Sequence, residues 1–424
     1  MSISKGLVSL VNEVYSERAH ASPDIACSTV VASSAGYTQE QLATLPVGAN
    51  LGMSCGNPVS SARLRKGEAV LDLGSGGGID VFLAADLVGS NGVVVGLDAS
   101  KDMIDLARQN AKVKGVRPPH IAFAHASLTD DLPIESNSVD CILSNCVLNL
   151  LPVAAKASVL KEAFRVLKPG GRINLADVVA IREMPPHIKT DMTHYVNCVS
   201  GAVTPEEYKG FLMDAGFDEI SLIDTGKDLT ACSGPPQERQ SAPGEQCCTQ
   251  PPAASAVKSN LNFREYAASY QVSASKPCKP ASPVSATVLK NWWYGYPEVK
   301  STPTSLAADD VATLIRDPTK SNKDFTVIDV RRNDHAGGHV RGSHQCPAQT
   351  FYDNAPGYFD KFKDSEEVIF YCQSSNGQGP RCAGWYQDYL NSIGYTSSKA
   401  YVLAGGIKGW MSKYKGEDDL VDYD

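Results

Sequence analysis

Val70-Leu71-Asp72-Leu73-Gly74-Ser75-Gly76-Gly77-Gly78-Ile79-Asp80 carries four glycines in five residues. An apolar run ends in an acid and runs into a glycine-dense turn. A helical pattern follows, Val81-Phe82-Leu83-Ala84-Ala85. The order is strand, tight turn, helix. Glycines let the backbone pass close to a ligand, and a helix N-terminus offers unpaired N–H groups. Val93-Val94-Val95-Gly96-Leu97-Asp98 repeats the theme, a second apolar strand ending in an acid. An acid at that point suits a ribose diol, so the two strands together predict a nucleoside cofactor.

Outward from this pair, strands alternate with helices. Strand candidates are Ala69–Leu73, Val93–Leu97, Ile121–Ala124, Val139–Ser144 and Arg172–Asp177. Helices fit at Ile79–Leu87, Lys101–Lys114 and Val153–Val166, and Lys168-Pro169-Gly170-Gly171-Arg172 reads as a turn before a strand. Such alternation predicts a doubly wound, largely parallel sheet, with ligands outside the carboxyl ends of its strands. Asp72, Asp98, Ser127 and Asn145-Cys146 all fall at those ends and are expected to share one crevice.

The length of 424 residues predicts two or three domains. A formal charge of −8 without a long basic run argues against nucleic acid or an anionic membrane as the main partner. No apolar run reaches membrane-spanning length, and Met1–Leu10 lacks the apolar core of a signal peptide, so the expectation is a cytoplasmic protein. The 12 cysteines never take C-x-x-C spacing, which favours thiol chemistry over a disulfide framework or a zinc ribbon.

Residues Ser4 to Val47 read as helical, with Leu7, Val8, Leu10, Val11, Val14 and Tyr15 on one apolar face. Thr38 with Gln41 signals the start of a helix from Thr38 to Leu45. Cys55 sits in a glycine-rich loop from Gly48 to Pro58, and Cys198 in a helix or loop over Met192–Val203. Thr204-Pro205 opens another helix. Residues 232–259, with Cys232 and Cys247-Cys248, are expected to be flexible; Phe263–Val272 reads as a final strand or helix. The division predicted is a first domain over 1–276, a linker over 277–287 and a second α/β domain over 288–424. In the second domain, Glu367-Val368-Ile369-Phe370-Tyr371-Cys372 is a strand running into a cysteine, and a helix is expected over Cys382–Leu390.

The evenly spaced glycines after Asp72 resemble motif I of class I S-adenosylmethionine-dependent methyltransferases, a Rossmann-like fold. The resemblance implies Gly74 and Gly76 lining the cofactor, Asp98 on its ribose, and Met103 and Ser127 near its adenine. Leu51-Gly52-Met53-Ser54-Cys55-Gly56-Asn57-Pro58, Ser144-Asn145-Cys146-Val147-Leu148-Asn149-Leu150 and Asn197-Cys198-Val199-Ser200-Gly201-Ala202 resemble the cysteine motifs of arsenite S-adenosylmethionine methyltransferases. The likeness covers about residues 5–275, and Cys27 fits the family's remaining cysteine. It implies arsenite and methylated arsenicals as partners. Cys55, Cys146 and Cys198 are then As(III) ligands, and Cys27 with Cys55 a redox pair reset by glutathione or thioredoxin. Such a family has a helix like that of Tyr15 over the cofactor. His125 and His194 receive no role.

Residues 288–415 resemble a rhodanese domain through Ile328-Asp329-Val330-Arg331, Gly338-His339-Val340-Arg341-Gly342-Ser343 and Gly405-Gly406-Ile407-Lys408-Gly409-Trp410. The implied nucleophile is Cys372. Phosphatase and arsenate reductase relatives carry His-Cys, five residues and an Arg. Here Tyr371 precedes the cysteine and Gln378 holds the Arg position, which weakens bidentate oxyanion binding. Sulfur or thiol chemistry, an inactive binding domain and an arsenate reductase-like domain are the readings for this half. For the first domain, the competing readings are a methyltransferase for a small organic molecule and an arsenic carrier without turnover.

Overall fold

The computed structural model describes residues 3–21, 24–227, 265–278, 288–331 and 337–423. Cys232 and Cys247-Cys248, the expected flexible segment and most of the expected linker lie outside them. The chain divides into two units, Met1–Gly295 and Tyr296–Asp424. The stretch 288–295, read from sequence as the start of the second domain, packs on the first unit. Glu135 N donates to Val288 O at 2.9 Å and Lys290 N to Pro133 O at 3.0 Å. Arg108 Nη2 donates to Tyr294 O at 3.1 Å.

The first unit is built on β1 (Ala69–Leu73), β2 (Val93–Asp98), β3 (Ile121–His125), β4 (Val139–Asn145), β5 (Leu167–Ala180), β6 (Asp218–Asp224) and β7 (Ala267–Ser275). Their order across the sheet is β3-β2-β1-β4-β5-β7-β6. The first five run parallel, and β7 lies antiparallel between β5 and β6. Chain direction of winding reverses between β1 and β4, and this switch point opens a crevice beyond the strand ends. The helices are α1 (Ile3–His20), α2 (Ile25–Ser34), α3 (Gln39–Ala43), α4 (Pro58–Ser61), α5 (Ile79–Val88), α6 (Lys101–Lys114), α7 (Val153–Val166), α8 (Pro186–Lys189), α9 (Met192–Val196) and α10 (Pro205–Ala215).

Both sheet faces are buried, as near-continuous apolar strands require. Leu71, Leu97, Ile142 and Val166 pack in one core, and Phe82, Ile104 and Phe123 in the other. Local chemistry sets the helix ends. The Thr38 and Thr204 capping boxes are both formed, with Gln41 and Glu207 as reciprocal partners. Lys101–Lys114 starts on Ser100, whose Oγ accepts from Met103 N at 3.3 Å, and stops at left-handed Gly115.

Two expectations change. The N-terminal helical stretch is three helices, and Asp24 caps the second through Cys27 N at 3.0 Å. Lys168–Gly171 is not a turn ahead of β5 but an irregularity within it, where the register to β4 jumps between Val139 and Cys141. Among the described residues no helix is long and apolar enough to cross a membrane.

The second unit has five parallel strands in the order β11-β9-β12-β13-β8. These are β8 (Thr304–Leu306), β9 (Phe325–Asp329), β11 (His344–Gln345), β12 (Glu367–Tyr371) and β13 (Lys399–Leu403). A short pair, β10 (His339–Val340) with β14 (Val421–Asp422), stands apart. Trp385, Trp410 and Phe351 are fully buried against this sheet.

Candidate functional site

The turn after β1 is built for close approach. Gly74 has φ 76°, and a Cβ there would lie 2.4 Å from Val147 Cγ2. Gly76 N donates to Asp98 Oδ2 at 2.9 Å, and Asp98 Oδ1 accepts from Ser100 N at 2.9 Å. Turn and second strand are thus tied together at one carboxylate. A cavity opens above them, lined by Asp72, Gly74, Gly76, Asp98, Ser127 and Cys146 among others. Helix α1 lines its other wall with Val8, Val11, Asn12 and Tyr15. Met103, expected near an adenine, is instead fully buried inside α6 and is not among the lining residues. Its side chain faces the core while its amide serves the Ser100 cap.

The cavity lining is acidic. Asp72, Asp80 and Asp98 all line it, and no Lys, Arg or His does among the described residues. Burial, then repulsion from Asp80 and Asp98, holds the Asp72 carboxyl well above the ordinary carboxylate range. Burial raises Asp98 as well, and pushes Asp80 up to about 6 against donors from Tyr37 and Asn145. Carboxyls crowded in this way gain from a cationic guest, which restores their charged form, and disfavour a phosphate-bearing one. The residues therefore fit S-adenosylmethionine, whose sulfonium and ammonium are positive, better than a dinucleotide.

Cys146 lines the cavity, and Cys55 and Cys198 lie buried beside it. Cys146 follows β4 and takes a left-handed φ of 59°; Cys198 follows α9 with φ 64°. Non-glycine residues are uncommon there, and such positions cluster at functional sites. Cys55 is disulfide-bonded to Cys146. Sequence reading paired Cys55 with Cys27; the structure leaves Cys27 as an exposed free thiol on α2. Asn50 Nδ2 donates to Ser28 O at 3.1 Å, so the helix carrying Cys27 still packs against the segment leading to Cys55. Cys198 Sγ donates to Cys146 O at 2.6 Å. The turn after Cys198 approaches β4's successor so closely that a Cβ on Gly201 would lie 1.9 Å from Asn149 O.

Buried polar side chains hold this arrangement. Asn145 Nδ2 donates to Gly56 O and Tyr37 Oη at 2.8 Å each and to Asp80 Oδ2 at 3.1 Å. Its Oδ1 accepts from Cys55 N at 3.2 Å. Asn149 Nδ2 donates to Cys198 O and Asp177 Oδ1, both at 3.1 Å. A carboxylate oxygen of Asp177 and the Cys55 and Cys146 sulfurs lie within 4.8 Å of one another. Burial pushes Asp177 up to about 7 and the neighbouring Lys156 ammonium down to about 8. Tyr37, Asp80, Asn149, Lys156 and Asp177 were not singled out from the sequence. Asp80 stood inside the opening stretch, Asn149 inside a cysteine motif and Asp177 at the end of an expected strand.

In the second unit, Cys372 follows β12 and is buried. Ile407 N donates to Cys372 O and Lys408 N to Gln373 O, both at 2.9 Å. These bonds press the loop onto the start of the helix Gly406–Tyr414. The helix expected from Cys382 begins earlier, at Gln378, and runs to Ser392. Gln378 is thus its first residue, and Arg381 lies further along it. Burial pushes Cys346 up to about 11; burial, then the charge of Cys372, raises Cys382 well above the ordinary thiol value.

With this geometry in view, comparison with known proteins gives two family matches. Residues 64–216 match the family described as "Methyltransferase domain", and residues 308–413 match "Rhodanese-like domain". The chain joins a methyltransferase domain to a rhodanese-like domain. The chain is 40% identical over 187 residues to an arsenite methyltransferase of Halobacterium salinarum, covering 44% of this chain and 46% of that protein. It is 36% identical over 165 residues to an arsenite methyltransferase of Aquipseudomonas alcaligenes, covering 38% and 47%. The chain spans about half the length of these curated relatives. A crystal structure of an arsenic(III) S-adenosylmethionine methyltransferase from Chlamydomonas reinhardtii matches with 24% identity and TM-score 0.39, over 61% of this chain and 75% of that one.

Proposed function

We propose that the methyltransferase domain transfers methyl groups from S-adenosyl-L-methionine to trivalent arsenic held by Cys55, Cys146 and Cys198. The observation that carries this reading is that three cysteines from separate segments come together at one cavity wall: Cys146 lines it, Cys55 is bonded to Cys146, and Cys198 Sγ donates to the Cys146 carbonyl. The names of the curated relatives support it.

Bound S-adenosylmethionine supplies an electrophilic methyl group. Asp72, Asp80 and Asp98 offset its positive charge, and the open backbone at Gly74 and Gly76 receives it. Ser127 lines the same cavity. As(III) is a soft centre, so thiolates are its natural ligands. Three thiols displace the hydroxyls of arsenite as water and leave the arsenic lone pair unshared. No general base is required, because As(III) has no proton to lose. The protein's task is placement. Methylation raises arsenic formally to As(V); two of its thiolates, Cys55 and Cys146, then leave arsenic as a disulfide, which returns two electrons and leaves methylated As(III) on Cys198. Exposed Cys27 attacks that disulfide at Cys55, releasing the Cys146 thiol and forming the Cys27–Cys55 pair. A thiol system, thioredoxin or glutathione, restores the enzyme. Repetition gives mono- and then dimethylated arsenicals, a detoxification in the cytoplasm. Cys372 in the rhodanese-like domain contributes thiol or sulfur chemistry.

The test is arsenite titration of the fully reduced protein. Cys146→Ser and Cys198→Ser are each expected to lose tight binding; wild-type affinity in both variants contradicts the ligand assignment.

A further inference from the structure

Helix α1 does more than wall the cavity. Its middle, Val8, Val11, Asn12 and Tyr15, faces the cofactor space. Its last turn grips the thiol segments. Arg18 Nη1 lies 3.3 Å from Met53 Sδ, two residues before Cys55. Arg18 Nη2 donates to Asn197 Oδ1 at 3.1 Å, one residue before Cys198. The guanidinium stands 5.0 Å from the centre of the Tyr15 ring, and Tyr15 Oη donates to Val196 O at 3.3 Å. Burial, then the charge of Cys198, raises the Tyr15 phenol, as expected of a hydroxyl next to that thiol. The helix is also moored on the cofactor side, by Ser16 Oγ to Ser100 Oγ at 3.1 Å and His20 to Asp102 at 3.3 Å. Ser100 is the residue whose amide holds Asp98.

One side chain thus spans two segments that are remote in sequence and each carry a thiol. A guanidinium suits this because its fork presents donors in two fixed directions, whereas an ammonium is a point charge. We propose that Arg18 is a positioning residue: it fixes the Cys55 loop against the Cys198 turn, and through α1 it links filling of the cofactor cavity to the setting of those thiols. The inference rests on the reading of Cys55 and Cys198 as arsenic ligands. Its structural part holds for the thiols alone. A guest in the cavity touches Val11 and Tyr15, steadies α1, and so steadies both of the segments that Arg18 holds. By reciprocity, arsenite on the thiols then favours the guest.

The experiment uses the full chain, reduced, with iodoacetamide as probe and peptide mass spectrometry to give the alkylation rate of each cysteine. S-adenosylhomocysteine is the cavity ligand. In the wild type, Cys198 and Cys55 should react slowly, and more slowly still with ligand. In Arg18→Ala, Cys198 should react roughly tenfold faster, as loss of a charged hydrogen bond implies, and the ligand should no longer protect it. Arg18→Lys should recover only part of the protection. Wild-type rates and wild-type protection in Arg18→Ala overturn the proposal. Should Arg18→Ala fail to fold, Met53→Leu and Asn197→Leu each cut one arm. Intermediate rates support the proposal, and wild-type rates in both overturn it. Arsenite affinity, measured separately, should weaken about tenfold in Arg18→Ala. A wild type that binds no arsenite defeats the arsenic reading and leaves the alkylation comparison to decide on Arg18.

Discussion

The two units hold their thiols in opposite ways. In the methyltransferase domain, Cys55, Cys146 and Cys198 come from three loops; the first two join beside the Asp177 carboxyl, Cys198 bonds the Cys146 carbonyl, and two of the three sit on left-handed backbone. In the rhodanese-like domain, Cys372 follows one strand, and burial raises the thiols of Cys346 and Cys382 near it. Several converging sulfurs suit a soft ion. A single sulfur at a helix start suits an anion, and Gln378 withholds the cation that would tighten such binding. The comparison teaches that cysteine count says little; what surrounds each sulfur decides which element it takes.

The comparison breaks most visibly on arsenite binding. Cys146→Ser or Cys198→Ser should cost roughly 100-fold or more in affinity, since a soft ligand is replaced by a hard one. Cys372→Ser should leave it unchanged, as read by titration of reduced protein. Gln378→Arg sharpens the other side. It should raise affinity for phosphate or arsenate in the second unit by roughly 10-fold, through charge-assisted hydrogen bonds, without altering arsenite binding. Calorimetry with each ion checks both halves.

Cys27→Ser should spare the first turnover and slow later ones about tenfold if its thiolate relays the exchange. Rapid-quench against steady-state rates separates the two. The smallest effect is on pH. The Asp80 carboxyl is pushed up to about 6, so it is charged above that value and neutral below. A cationic ligand prefers the charged form. The KM for S-adenosylmethionine should therefore rise a few-fold, roughly 3- to 10-fold, as pH falls from about 7 to 5, and Asp80→Asn should flatten the profile.

Much of the fold was legible because its signals are local. The helices Lys101–Lys114 and Val153–Val166 match their expected bounds, set by Ser100 and Gly115 and by Pro152. Where the reading slipped, tertiary structure overrode a local signal. Pro169-Gly170 looks like a stop, yet the strand resumes because Arg172 and Ile173 pair with β4. The stretch Ser4 to Val47 reads as helical and is, but it breaks before Asp24, which caps Ile25–Ser34, a helix rich in Ser, Thr and Val that the buried Val31 and Ala32 hold. Asn145 was legible at its strand end, but the polar frame it joins was not. Asn145, Tyr37 and Asp80 meet across remote stretches of chain, as do Asp177, Asn149 and Lys156. None has a spacing that marks it.

The central claim is methyl transfer to thiol-held arsenic. Its most direct test is a single turnover of reduced full-length protein with arsenite and methyl-labelled S-adenosylmethionine, followed by mass spectrometry of the arsenic species. The account predicts a labelled methylarsenical formed in step with S-adenosylhomocysteine. Arsenic recovered unmethylated from a protein that binds it, or methyl donor consumed with no label on arsenic, contradicts it.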